Sequence, residues 1–153
     1  MNHFIFVIND IESSNIKVTA EQIFEILFKK KYWFFHQQTP NLKKIRNSDK
    51  VLVYMAGKGR RKFVGKFEIG GDIQVQNLEQ NDTYIQAISR LYSLCVPIKN
   101  LEIFNNPVCI NDIKEELDFI TDKKNYGLFF RQATKLIDVD DYSRVIQSAL
   151  TLL

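Results

Sequence analysis

Residues Val51 to Ile69, VLVYMAGKGRRKFVGKFEI, read as two apolar strands around a short glycine-bearing loop. Val51–Ala56 is rich in β-prone residues. Lys62–Ile69 returns with Phe63, Gly65, Phe67 and Ile69 predicted on one face. Between them, Gly57-Lys58-Gly59-Arg60-Arg61 supplies the backbone freedom of a hairpin loop. A hairpin of this kind commits the chain to an antiparallel sheet and argues against a helical bundle or a doubly wound parallel sheet.

The remaining elements are arranged around that hairpin. His3–Ile8 is a short apolar run, predicted as a buried strand that Asn9 and Asp10 end. Thr19 with Gln22 three residues later forms a capping-box signature. Ile23, Phe24, Ile26, Leu27 and Phe28 follow at helical spacing, and Lys29, Lys30 and Lys31 suit the negative end of the helix dipole. Trp33–Phe35 is predicted extended, and residues 41–46 a helical turn. Ile73–Leu78 reads as a possible strand, and Tyr84–Arg90 fits helix or strand. Leu91–Ile98 alternates as a strand that Pro97 weakens, and Ile103–Ile110 reads as a loop with a short strand broken by Pro107. Asn111 is predicted to cap a short acidic helix, Tyr126–Arg131 to be extended, and Asp138 to cap a final amphipathic helix. Strands and short helices without βαβ alternation imply an α+β fold: a small curled antiparallel or mixed sheet or barrel with flanking helices, of five or six strands. At 153 residues the chain is predicted to form one domain, 1–153.

Charge is unevenly distributed. The stretch 29–67 holds twelve Lys or Arg and the single acid Asp49, whereas the rest holds nine bases and seventeen acids. A solvated face paired with the acidic remainder is one account; a polyanion-binding surface is the other. No apolar run approaches the roughly 20 residues that cross a bilayer. The start, MNHFIFVIND, lacks a charged leader region and reads as a strand. Cys95 and Cys109 sit in apolar surroundings and are predicted to be reduced core thiols. Together these features imply a cytoplasmic protein.

Catalytic patterns are weak. His3, His36 and the two cysteines lack zinc spacing, so no metal or cofactor is expected. No serine sits in a G-x-S-x-G elbow, and AGKGRRKFVG lacks the G-K-[ST] of a nucleotide-triphosphate loop. Asp138, Asp140 and Asp141 lie at a predicted helix start, where acids stabilise the dipole. The expectation is therefore a non-enzyme. The aromatics Tyr32, Trp33, Phe34, Phe35 and Tyr54 remain, with Tyr126, Phe129 and Phe130 later. Most suit core packing. Trp33, the sole tryptophan, stands before the cationic stretch, where an indole can stack on a base, worth about 1–3 kcal/mol. On this reading its ring lines a cleft rather than fills the core.

These residues carry a resemblance. An opening strand ending in Asn9-Asp10, a helix, Trp33 followed after five residues by Thr39-Pro40, then SDKVLVYMAG and FVG resemble the EVE domain, of the PUA-like superfamily that includes YTH and ASCH domains. Val96-Pro97-Ile98, Phe104 with Pro107, Phe119-Ile120 and YGLFFR resemble its later segments. The resemblance implies a small β-barrel with flanking helices and a pocket for a modified, flipped-out base of DNA or RNA. It implies pocket roles for Asn9, Trp33 with Phe34, Tyr54 and Arg131, and places Lys58, Arg60, Arg61 and Lys62 on a hairpin near the mouth. Phe34-Phe35-His36 after the tryptophan and the short basic hairpin depart from many relatives. The function expected is non-catalytic recognition of a nucleic-acid base. A protein-interaction module with a basic face, or a nuclease or base-modifying enzyme using the late acids, are the alternatives.

Overall fold

The computed structural model describes residues 1–13, 15–77 and 83–150. In chain order the elements are β1 (His3–Ile8), β2 (Ile11–Ser13), β3 (Ile16–Val18), α1 (Ala20–Lys30), β4 (Tyr32–Phe35), β5 (Lys50–Met55) and β6 (Lys62–Ile69). There follow β7 (Gln74–Val75), α2 (Thr83–Leu91), β8 (Leu94–Cys109), α3 (Ile110–Ile113), β9 (Thr134–Ile137) and α4 (Val139–Leu150). Short 3-10 turns occupy Leu42–Lys44, Lys114–Glu116 and Tyr126–Phe130.

The main sheet has seven strands in the order β4-β8-β6-β5-β1-β9, with the two-residue β7 also on β8. β5 and β6 form the predicted antiparallel hairpin. The pairing of β1 with β5 is parallel, and the chain between them is long enough to contain the α1 crossover. The fold is thus α+β, a curled, mostly antiparallel sheet with helices around it. Its path of six strands meets the expectation of five or six, and the two-residue β7 adds to it beside β8.

Local signals in the sequence account for several element ends. Gln22 N–H donates to Thr19 Oγ1 at 3.2 Å while Gln22 Oε1 accepts from Thr19 N–H at 2.9 Å, so the capping box starts α1. Lys31 ends it in the left-handed conformation, φ 60°, with its N–H on the Leu27 carbonyl, and turns the chain into β4. Asp141 N–H donates to Asp138 Oδ1 at 2.8 Å, so Asp138 caps α4 as predicted.

Other expectations are corrected. Tyr84–Arg90 lies within helix α2, and Leu78 falls outside the described residues. β8 runs unbroken through Pro97 and Pro107. Pro97 pairs with Tyr32 of β4, and its carbonyl accepts from Gly70 N–H at 2.7 Å. Pro107 lies between the pairs Gly65–Ile103 and Phe63–Val108, where the β6 register shifts and no ladder partner is lost. The helix predicted from Asn111 begins at Ile110, after Cys109. The aromatic run Tyr126–Phe130 is a 3-10 turn rather than a strand. Cys95 is buried, and its thiol is pushed up by burial; Cys109, expected in the core, is exposed at the end of β8.

The sheet buries both faces. Phe4, Phe6 and Ile8 of β1 and Val51, Val53 and Met55 of β5 point into one core with α1 and β4. Ile5, Leu52 and Tyr54 point into a second, covered by α3, the 117–130 segment and α4. Phe63 was expected beside Phe67 and Ile69, but it joins the second core while they join the first. A bulge at Val53/Tyr54, opposite Phe63 and Gly65, reverses the alternation. Gly65 is required there: a Cβ would lie 2.6 Å from the Glu102 carbonyl oxygen of β8.

The late acids serve this second core. Asp141 is buried and accepts from the backbone N–H groups of Asp118 at 2.8 Å and Phe119 at 2.9 Å. Arg144 reaches the same carboxylate at 2.8 Å. The group that the sequence left open for catalysis is a structural anchor.

Candidate functional site

A cleft of about 90 Å³ opens where the end of β1, the inner face of α1 and β4 converge. Asn9, Trp33, Phe34, His36, Thr39 and Tyr92 line it, with Ile23 and Leu27 of α1 on the apolar side. Its volume is well below the roughly 300–1,000 Å³ of drug-sized ligand sites, so it suits a single flat ring.

Trp33 is both core and cleft wall. It is 5% exposed, with its ring centroid 5.4 Å from Phe6 and 5.5 Å from Phe67, stacked on the latter. This corrects the expectation of a ring lining the cleft instead of filling the core. Among the described residues the indole N–H has no hydrogen-bond partner, yet it is not a buried orphan. Trp33 therefore brings a hydrogen-bond donor with no partner of its own to the lining of the cleft.

Two further polar groups converge on the same space. Asn9, exposed just after β1, lines the cleft and accepts from Asp10 N–H through Oδ1 at 2.8 Å, while its amide nitrogen carries two further donors. His36, exposed just after β4, accepts from Gln38 N–H through Nδ1 at 3.2 Å. In the neutral ring the proton then sits on Nε2, which becomes a donor. The cleft thus presents donors from Asn9, Trp33 and His36 over a floor of aromatic and aliphatic carbon, with the Thr39 hydroxyl beside them.

Tyr54, expected in the pocket, lies in the second core on the opposite face of β5. It is 2% exposed and stacks on Phe130, ring centroids 3.9 Å apart. Burial raises its phenol pKa. Ordinary strand alternation puts Tyr54 on the face away from Val53 and Trp33. Arg131 is exposed and stands two residues before Ala133, which lines the cleft.

The basic hairpin divides by role. Lys58 and Arg61 are exposed, and Lys62 is half-buried at the start of β6. Arg60 is committed inward: its guanidinium holds Glu21 at 2.7 Å and Asp10 at 2.8 Å. Asp10 also accepts from Ala20 N–H at 2.8 Å. That backbone N–H and Arg60 hold the Asp10 carboxyl below its usual range, Arg60 does the same to Glu21, and Glu21 raises Arg60 in turn. This network pins the hairpin to the start of α1. Gly57, at φ 109°, permits it, because a Cβ would meet Arg60 Nη1 at 2.8 Å and Asn9 Oδ1 at 3.2 Å. Arg60 therefore does not share the solvent exposure of Lys58 and Arg61.

His36 and Tyr92 were not anticipated as cleft residues. His36 is only three positions beyond Trp33, and its place after the strand was the available signal. Tyr92, read from sequence as part of a strand Leu91–Ile98, instead lies in the connection between α2 and β8.

Comparison with known proteins is consistent with this geometry. No curated protein sequence matches the chain. Among solved structures, human THYN1 in complex with 5-methylcytosine-containing DNA superposes with a TM-score of 0.65 at 11% identity, covering 100% of each chain. The YTH domain of Zygosaccharomyces rouxii MRB1 in complex with N6-methyladenosine RNA gives 0.63 at 12% identity, covering 99% of this chain and 88% of that one. Protein Atu2648 from Agrobacterium tumefaciens gives 0.61 at 17% identity, covering 98% and 94%. At such identities the likeness is one of fold. The EVE domain model, by contrast, matches the sequence itself over residues 12–147, and the chain accordingly belongs to the EVE domain family.

Proposed function

We propose that this chain is a non-catalytic module that takes one nucleobase, flipped out of its stack and methylated, into the cleft beside Trp33. The observation that carries the reading is the convergence of the Asn9, Trp33 and His36 donors on a small, apolar-walled cleft. Ring nitrogens and carbonyl oxygens on a base edge are the acceptors such donors fit. A methyl group would lie against Ile23, Leu27 and Tyr92 rather than face water. Two structural relatives were solved with methylated DNA and with methylated RNA, which supports the same ligand class. Among the described residues no helix is long and apolar enough to cross a membrane.

The test is an affinity measurement on short oligonucleotides bearing 5-methylcytosine or N6-methyladenosine, with unmodified controls. Asn9→Ala and His36→Ala are each expected to weaken binding of the preferred modified strand about fivefold, from ~1 kcal/mol per lost hydrogen bond. Both side chains are exposed, so the melting temperature should hold. A double variant that binds as tightly as wild type, or a wild type that ignores every oligonucleotide, refutes the proposal. The second result would favour a protein partner for the basic face.

A further inference from the structure

Resting on that reading, we infer that the strand leaving the cleft is held by its phosphates on the 37–44 segment, through Lys43 and Lys44, and not on the Gly57–Arg61 hairpin. An open trough of about 430 Å³ runs along this segment and shares Thr39 with the base cleft. A nucleotide next to a base in the cleft would therefore pass directly over it.

The trough is built on fixed backbone. Thr39 N–H donates to the His36 carbonyl at 2.9 Å, and Lys44 N–H to the Asn41 carbonyl at 2.9 Å. Asn41 adopts φ 66° and donates through Nδ2 to Thr134 Oγ1 at 3.2 Å, while the fully buried Thr134 hydroxyl donates to the Pro40 carbonyl. Asn2 Nδ2 holds the Lys44 carbonyl at 3.0 Å, and Arg46 donates to the carbonyls of Lys43 at 2.6 Å and Ile45 at 2.9 Å. None of these bonds uses a lysine side chain, and both Lys43 and Lys44 are exposed. Among the described residues neither Lys43 nor Lys44 is paired with an acid. The one acid nearby in sequence, Asp49, is buried and accepts from the N–H groups of Asn2 at 2.9 Å and Arg46 at 2.8 Å.

At the hairpin Lys58 and Arg61 are exposed without an acid partner among the described residues, but they flank a cation that is already paired and the two carboxylates that pair it. Arg60 is neutralised by Asp10 and Glu21, whose carboxylates would repel a phosphate brought to that side. Cations that are unpaired and lie on a rigid surface release counterions on binding, whereas cations already paired contribute less.

The measurement is the salt dependence of binding of a single-stranded oligonucleotide carrying the preferred modified base. Each phosphate neutralised on a single strand contributes about −0.7 to the slope of log K against log salt. Lys43→Ala with Lys44→Ala is expected to flatten the slope by about 1.4 and to weaken modified and unmodified strands alike. Lys58→Ala with Arg61→Ala is expected to leave the slope unchanged. Both pairs alter exposed side chains, and melting curves should coincide with wild type. If the hairpin variant flattens the slope and the Lys43/Lys44 variant does not, the inference falls while base recognition stands. If wild type shows no binding, base recognition itself falls.

Discussion

Trp33→Ala is expected to destabilise the fold by about 3–5 kcal/mol, the range for truncating a buried large aromatic. The indole packs on Phe6 and Phe67, and Phe6 in turn meets Phe35 edge-on at 5.4 Å, so the cavity would open at the centre of the first core. Against a total stability of about 5–15 kcal/mol that loss leaves a marginal protein. Its effect on binding would be confounded with unfolding. Trp33→Phe retains an aromatic ring in the core and removes the indole N–H from the cleft-lining residue. It should stay folded and bind more weakly. Chemical denaturation of both variants tests this. A Trp33→Ala protein as stable as wild type would show that the indole is not a core group.

The second large effect is expected at Asp141. Asp141→Ala would strip the acceptor from the Asp118 and Phe119 N–H groups and leave Arg144 without its buried partner. Orphaned donors cost about 1–3 kcal/mol each, so a loss of roughly 3 kcal/mol is expected, discounted because Arg144 is partly exposed. The consequence extends along the chain. Phe119 lies edge-on to Phe130 at 5.7 Å, and Phe130 is stacked on Tyr54, so the cover of the second core should loosen as a unit. Asp140→Ala, at an exposed neighbour, should stay within about 0.5 kcal/mol of wild type. Equal stability of the two variants would contradict the anchoring role.

What the sequence revealed and what it concealed have physical causes. The Thr19–Gln22 capping box, the Asp138 cap and the β5–β6 hairpin were legible because each is a local pattern with a local mechanism. Asn9, Trp33 and Phe34 came through the family resemblance, and the structure brings all three to one cleft. Phe63 was misplaced because alternation on β6 fails at a bulge, which residue types alone do not mark, and Tyr54 because which face of β5 meets the cleft is tertiary information. β8 looked broken because proline usually costs a ladder bond, but Pro107 stands where the ladder is already interrupted. The commitment of Arg60 was hidden because Glu21 is 39 positions away and a charge count along the chain does not see it. His36 was weighed only as a metal ligand without zinc spacing; its place in the cleft lining is tertiary information.

The central claim is that a base enters the cleft, and Trp33 itself can report it. It is the only tryptophan in the chain and it lines the cleft, so tryptophan emission comes from the site alone. The measurement is a titration of the wild-type protein with strands identical except at one position: a methylated base, its unmodified form or an abasic site. Binding would be followed in parallel by anisotropy of a label on the strand. The account predicts saturable quenching of Trp33 emission by the methylated strand, a higher midpoint for the unmodified strand, and no quenching by the abasic one. Strands that bind by anisotropy while Trp33 emission stays constant, or that quench equally with and without the base, would contradict it.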